Sequence, residues 1–279
     1  MQILPPKELF PFIKHYLFLE SKGSGFSKLR LFSDGNMGIV FSFKNNLVSG
    51  YKNNEQVEPL PNSFLYGQIS TFKDVCVVNE TDLLIVVFQP SGIQQLLGIP
   101  AGMLRDNIIS TAYLFGKQGQ ELNEKLMEAF SIRDKLRLLN LFFTKLVALK
   151  RTHPGDLIVQ ASVNSIVKNK GLISLNQLVK LTGYTERHIE RKFIEAIGIP
   201  PKRFGNIIKL HHFLKHLKNQ SNNANLTAIA YEAGYADQSH LIKEFKKFTG
   251  MTPKTYIHEA DKLTTNFIKF LPGAILPGK

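Results

Sequence analysis

The 279-residue chain has no tryptophan and one cysteine, Cys76. A single thiol forms no intramolecular disulfide, and no Cys/His cluster has zinc-site spacing, so a cross-linked or zinc-stapled scaffold is excluded. No run approaches the roughly 20 apolar residues of a membrane helix. Met1-Gln2-Ile3-Leu4-Pro5-Pro6 also lacks the basic region and apolar run of a signal peptide, so a cytoplasmic protein without a membrane partner is expected. Histidine is scarce upstream: within 1–150 only His15 occurs, and no HxH pair is present to bind iron or manganese.

Acidic residues are also few, 22 Asp+Glu against 35 Lys+Arg. The first 150 residues hold 16 basic and 13 acidic side chains, the remainder 19 and 9. The basic excess therefore sits in the C-terminal part, as a module that neutralises phosphates requires. A generally Lys-rich composition is the plainer explanation of the charge taken alone.

What the chain does have is a repeat. Leu175, Leu178, Gly183 and Tyr184 recur as Leu226, Ile229, Gly234 and Tyr235. His188, Ile189, Phe193, Gly198, Pro201, Lys202 and Phe204 recur as His240, Leu241, Phe245, Gly250, Pro253, Lys254 and Tyr256. The offset grows by one residue just after the Gly-Tyr pair, between two expected helices, where an insertion is tolerated.

The first hundred residues read as β-rich. Leu29–Phe32, Gly38–Phe43, Leu47–Tyr51, Phe64–Ile69, Val75–Val78 and Leu83–Phe88 alternate with turn signals such as Ser33-Asp-Gly-Asn36, which suggests a sandwich or small barrel. Asp34 and Gly35 are expected to shape a hairpin. After Pro90 the period becomes helical: Gly92–Leu97, Gln118–Phe130 and Ser131–Lys150, the last read as a dimerisation or interdomain element. Pro154-Gly155 marks a boundary. The expected organisation is α+β: a β-rich domain with following helices over 1–152, an all-α domain over 156–260, and a loose tail over 261–279 that contributes little to either core.

Within the all-α part, Asp156–Asn169 opens the domain and Gly171 stops that helix. Ser174 and Gln177 match a capping box before a helix over 175–182, and Thr185 caps a second helix to about Ala196. A long helix over 204–218 and the polar linker Asn219–Asn225 lead to the second unit, Leu226–Ala233 and Asp237-capped Gln238–Phe248. Short helix, tight turn and second helix make a helix-turn-helix, about 175–196 and again about 226–248. Leu175, Leu178, Ile189 and Phe193 account for one core, and Leu226, Ile229, Ala230, Leu241, Phe245 and Phe248 for the other. Glu186, Arg187, Glu190 and Arg191, and then Gln238, Ser239, Ile242 and Lys243, are left facing outward in the turns that enter a major groove. Arg suits guanine edges and Gln adenine, so Arg187, Arg191 and Gln238 are the leading base readers. Thr185, Lys192, Lys246 and Lys247 are candidates for the DNA backbone. Two units on one helix can address successive grooves about 34 Å apart on double-stranded DNA.

The run from Leu226 through Gly234-Tyr-Ala-Asp-Gln-Ser-His240, followed by Phe245-Lys-Lys-Phe-Thr-Gly-Met-Thr-Pro-Lys-Thr-Tyr256, closely resembles the signature of the AraC/XylS family of bacterial transcription regulators. The resemblance covers about 156–258. It implies base-facing roles for Arg187, Glu190 and Arg191 in the first unit, and for Gln238, Ser239, Ile242 and Lys243 in the second. An activator or repressor is expected, with RNA polymerase and a second copy of the chain (a homodimer) as further partners. The connecting helix departs from the family, with Lys209 for the usual arginine and Phe213 for a small residue; lysine keeps the charge but loses the bidentate fork. Upstream, Ser33-Asp-Gly-Asn-Met-Gly-Ile-Val-Phe41, Phe88-Gln-Pro-Ser-Gly92 and Leu97-Gly-Ile-Pro100 are similar to the cupin-like sensor domain of some members, which implies a small-molecule effector of unspecified identity.

The competing function is a cupin-type enzyme fused to a DNA-binding module. It lacks a catalytic constellation, so no catalytic residue, cofactor or metal is expected. A scaffold whose helices bind only protein would not need the basic asymmetry. Cys76, between apolar neighbours, reads as a buried inert thiol rather than a reactive one. His212 and His216 have the i,i+4 spacing of metal ligands, but with His211 they read as residues packing on a partly buried helix.

Overall fold

The computed structural model describes residues 1–21, 26–44, 47–49, 58–149, 154–218, 226–258 and 260–270. The chain begins with strands β1 (Gln2–Ile3), β2 (Ile13–Ser21), β3 (Phe26–Phe32), β4 (Gly38–Ser42), β5 (Leu47–Ser49), β6 (Glu58–Pro59), β7 (Ser63–Tyr66), β8 (Phe72–Val78) and β9 (Thr81–Phe88). Helices α1 (Gly92–Leu97) and α2 (Ala101–Leu104), strand β10 (Ile108–Ser110), and helices α3 (Thr111–Phe115), α4 (Lys117–Glu128) and α5 (Ile132–Ala148) follow. The C-terminal helices are α6 (Pro154–Lys168), α7 (Leu175–Thr182), α8 (Glu186–Ile197), α9 (Pro201–Lys218), α10 (Leu226–Glu232), α11 (Gln238–Thr249) and α12 (Pro253–His258), and strands β11 (Ala260–Lys262) and β12 (Phe267–Phe270) complete the described chain.

Two six-stranded antiparallel sheets face each other, ordered β1-β2-β9-β4-β7-β10 and β11-β12-β3-β8-β5-β6. Side-chain alternation divides the first sheet. Leu17, Leu19, Val40, Phe64, Leu83, Ile85 and Val87 face the second sheet. Tyr16, Phe18, Ile39, Phe41, Leu65, Leu84, Val86 and Phe88 face the helices behind, where Leu139 and Phe143 of α5 are buried. The Tyr16 hydroxyl donates to Asn140 at 2.7 Å, and the Phe88 and Phe143 rings meet edge-on at 5.5 Å. Thus α5 packs on the outer face of the first sheet. The mixed α+β reading holds, with a β-rich region of two sheets ahead of a helical one.

Three expectations change. The strand Ile13–Ser21 is absent from the sequence reading, yet it pairs with β9 from Ile13↔Phe88 to Ser21↔Thr81 and is the longest described strand. Ser33–Asn36 does not turn a hairpin: β3 and β4 lie in different sheets, so the turn crosses between them. The tail is no loose appendage over its described part, since β12 pairs with β3 (Phe267↔Leu31, Ile268↔Arg30, Lys269↔Leu29) and buries Phe267 and Ile268. Two Pro-Gly pairs, Pro272-Gly273 and Pro277-Gly278, bias the reading of this stretch, yet both lie outside the described residues. The linker expected over Asn219–Asn225 also lies outside them.

Candidate nucleic-acid interface

The first unit is built by its caps. The Ser174 hydroxyl accepts the Gln177 amide at 3.2 Å and the Gln177 side chain accepts the Ser174 amide at 2.8 Å, so both halves of the capping box form. Gly183, at φ 74°, ends α7 in the left-handed conformation that costs glycine least, and the Thr185 hydroxyl accepts the His188 amide at 3.3 Å to start α8. Leu178, Ile189 and Phe193 are buried, while Leu175 is half-buried at the edge of the core. Arg187, Glu190 and Arg191 stand exposed on the opposite side of α8. The Tyr184 ring stacks on His188 at 4.8 Å, and Arg191 Nη2 lies 3.5 Å from His188 Nδ1.

The second unit repeats this plan. Asp237 accepts the His240 amide at 2.7 Å, and Gln238, Ser239 and Lys243 are exposed in the first two turns of α11, with Ile242 half-buried. The Thr227 hydroxyl donates to the Gln238 side-chain carbonyl at 3.2 Å, which orients that amide from α10. Of the backbone candidates, Lys246 and Lys247 are exposed, whereas Lys192 is paired with Glu195 at 2.8 Å and Thr185 spends its oxygen on the helix cap.

The two units share one core with α9. Lys209, the departure from the family pattern, is buried and meets Glu244 of α11 at 3.1 Å, with its ammonium 4.1 Å from the centre of the Tyr235 ring. Phe213 fills the space a turn later, edge-on to Tyr235 at 6.3 Å and Phe245 at 6.0 Å. Gly171, at φ 81°, lets the segment before α7 lie on α9: an added Cβ would strike the Gly205 carbonyl and come within 2.8 Å of the Lys209 amide.

The second helix of each unit ends against the β-rich region and its helices. At Gly198, where α8 stops, a Cβ would come 2.9 Å from the Ala101 carbonyl, and Ile194 covers Gly102. At the end of α11, Arg30 of β3 donates to the Thr249 and Gly250 carbonyls at 3.3 Å each, satisfying groups a helix C-terminus leaves open. The same guanidinium holds Asp74 at 2.6 and 2.8 Å and lies 3.9 Å from the Phe72 ring centre. Burial favours the neutral acid at Asp74, but hydrogen bonds and charge from Arg30, then Lys28, outweigh it and hold the carboxyl below its usual range.

A cavity of about 1220 Å³ lies between the sheets. Its walls are mainly apolar, with Lys14, His15, Asp34, Tyr66, His211 and Lys215 gathered among the lining residues. Desolvation lowers the His211 pKa, with Asp34 and the Ser33 carbonyl, 3.0 Å away, opposing. Desolvation would raise Asp34, but Lys14, His211 and hydrogen bonds from Asn36 hold it down. Cys76 is fully buried and its thiol pKa is raised chiefly by desolvation, the setting of an unreactive cysteine. His212 and His216 meet through their Nε2 atoms at 3.1 Å, and no group of three or more metal-ligating residues occurs among the described residues.

The structure therefore places the expected base readers on two capped, exposed helix starts. Arg30 and the cavity were missed, because the contacts joining β3 to α11 span more than 200 residues and leave no local signal; Gln68, buried between β7 and β8, was missed too and donates to the Gly35 carbonyl at 2.8 Å. A two-residue alternation in Leu29-Arg30-Leu31-Phe32, with a charge at a position that is otherwise buried, is the one trace of Arg30.

Comparison with known proteins adds two family matches: a helix-turn-helix domain over residues 178–259, and a domain of unknown function (DUF6597) over residues 1–110. An uncharacterized HTH-type transcriptional regulator of Staphylococcus aureus is 30% identical over 94 residues, 34% of this chain and 12% of the relative. The HTH-type transcriptional activator AarP of Providencia stuartii is 28% identical over 85 residues, 30% of this chain and 61% of AarP. The matched region thus spans about an eighth of the length of the staphylococcal relatives. Among solved structures, ToxT from Vibrio cholerae, 14% identical, overlaps 87% of this chain and 97% of its own with a TM-score of 0.48. A probable AraC family transcriptional regulator from Rhodopseudomonas palustris, 25% identical, overlaps 34% of this chain and 90% of its own with a TM-score of 0.32.

Proposed function

We propose, from the premise that residues 178–259 are a helix-turn-helix domain of the AraC type, that this protein is a sequence-specific DNA-binding transcription regulator. The observation that carries the reading is the paired construction of α7–α8 and α10–α11. Each unit is capped at the start of its second helix, and each leaves a different polar set exposed there: Arg187, Glu190 and Arg191 in one, Gln238, Ser239 and Lys243 in the other. Unlike side chains on like scaffolds read unlike base pairs, so the site is asymmetric, with the two halves in successive major grooves. Lys246 and Lys247 add phosphate contacts. Lys192 contributes only by releasing Glu195. Selection of bound duplexes from a random pool tests the reading. An asymmetric consensus and an affinity falling steeply with salt are expected. Salt-insensitive binding without a consensus would overturn it.

The barrel is the sensor in this reading. A cavity of about 1220 Å³ is ample for a small molecule, and its lining favours a mostly apolar body with one polar end near Lys14, His211 and Lys215. Thermal-shift screening of amphiphilic small molecules tests the sensor role. A stabilising hit whose effect is lost in a cavity-filling Val40→Phe variant supports it. Hits that survive that variant count against this cavity.

A further inference from the structure

The strand that follows the second helix-turn-helix is part of the cavity wall. Residues Thr264, Thr265, Asn266 and Phe267 line the cavity, although they come after the DNA-binding domain in the chain. The alternation along β3 and β12 gives this wall two faces. Leu29, Leu31 and Phe267 point between the sheets, whereas Phe32 and Ile268 belong to the core of the helical domain, with Phe72 and Phe270 packed against it. Arg30 is on that second face and holds the Thr249 and Gly250 carbonyls at the end of α11. Two further bonds tie the hairpin down: the Tyr256 hydroxyl of α12 donates to the Thr265 carbonyl at 2.8 Å, and Asn266 donates to the Phe32 carbonyl at 3.1 Å.

We propose that β3 and the β11–β12 hairpin form a strap that transmits the state of the cavity to the C-terminal end of the second recognition helix. The helix is held from both directions, by Arg30 from the barrel and by the chain running through α12 into β12. A change on the cavity side of a strand only one residue thick shifts the side chains on its other side, because adjacent residues share one backbone. Among the described residues, the first recognition helix has no such strand. Its end rests on α2 and Gln68, and Gln68 donates to the Gly35 carbonyl at 2.8 Å, so the strap acts on α11 more than on α8. This deepens the sensor reading by naming its output, and it rests on that reading only for the nature of the trigger.

Hydrogen exchange on the full chain tests the strap without an effector. Phe267→Ala alters only the cavity face of β12. It should speed exchange of the Thr249 and Gly250 amides by about tenfold while leaving the Gly198 amide within about twofold of wild type. Phe267→Leu, a milder change, should show the same order of effect in smaller measure, and keeps the test valid if the alanine variant is poorly folded. Arg30→Met should open the same α11 amides without loosening the β12–β3 pairing. Ile85→Ala, in the same cavity but on the opposite sheet, should speed exchange in β9 and leave α11 unchanged. The strap is refuted if both Phe267 variants leave Thr249 and Gly250 at wild-type rates, or if Ile85→Ala moves those amides equally. Neither result bears on whether the helix-turn-helix units bind DNA, so the two readings fail separately.

Discussion

Lys209→Met should be among the most destabilising single changes in the helical domain. Glu244 is 9% exposed and its Oε2 lies 3.1 Å from the ammonium of Lys209, a residue 8% exposed. Removing the lysine leaves the buried Glu244 carboxylate beside Tyr235 without its counter-charge, and breaking such a pair from one side costs about 3–5 kcal/mol. Loss of the ammonium from the Tyr235 ring adds to this, on the order of 0.5–2 kcal/mol. Against a typical stability of about 5–15 kcal/mol the change is large. Replacing both partners by apolar residues, Lys209→Met with Glu244→Leu, removes the stranded charge and should recover most of the loss. Urea unfolding of the three variants, followed by far-ultraviolet circular dichroism, measures this. A Lys209→Met variant within about 1 kcal/mol of wild type, or a double variant no more stable than the single one, would refute the reasoning. The pair joins α9 to α11, so the single variant should also lose DNA affinity while the double variant keeps most of it.

Gly171→Ala should destabilise the chain by at least about 1–3 kcal/mol, because it combines a left-handed backbone with a Cβ driven into the Gly205 carbonyl; a melting temperature within one degree of wild type would count against that packing. Stability should decline as pH falls below about 6.5. In that range the unfolded chain binds a proton that His211 refuses in the fold, where desolvation, helped by Lys14, lowers its pKa against the opposing pull of Asp34 and the Ser33 carbonyl. The contribution is complete above the ordinary histidine value and is lost as pH drops toward the depressed one. His15 and His212 are shifted in the same direction, so His211→Gln should shallow the pH dependence of the urea midpoint rather than abolish it. An unchanged slope would remove His211 from the account.

The helical domain was legible because its signals are local. A capping box, a left-handed glycine and a three-to-four residue apolar period each act within a few residues, so Ser174, Gln177, Gly183, Thr185 and Asp237 disclose their roles in sequence. The barrel was legible as short apolar strands but not in its pairing. Ile13–Ser21 escaped because Tyr16-Leu-Phe-Leu19 is apolar on both sides of the strand, since β2 is covered by the second sheet on one face and by helices on the other. Such a strand loses the alternation that betrays a half-exposed one. The role of 260–270 was hidden for another reason. Only the folded chain brings β12 beside β3, and no local rule specifies a partner more than 200 residues away. The candidate base readers rest on elimination and then on chemistry: once the core positions are spent, Glu186, Arg187, Glu190 and Arg191, and Gln238, Ser239 and Lys243, remain exposed in the first turns, and among these arginine and glutamine suit base edges best.

The central claim is that two unlike recognition helices read two halves of one site. Selection from a random duplex pool, run in parallel on wild type, Arg191→Ala and Gln238→Ala, tests it most directly. Each substitution should cost about 1–3 kcal/mol and relax specificity at one position, with the two relaxed positions about one helical turn apart. Unchanged consensus and affinity in both variants, or relaxation of the same base pair by both, would contradict the assignment of α8 and α11 as separate readers.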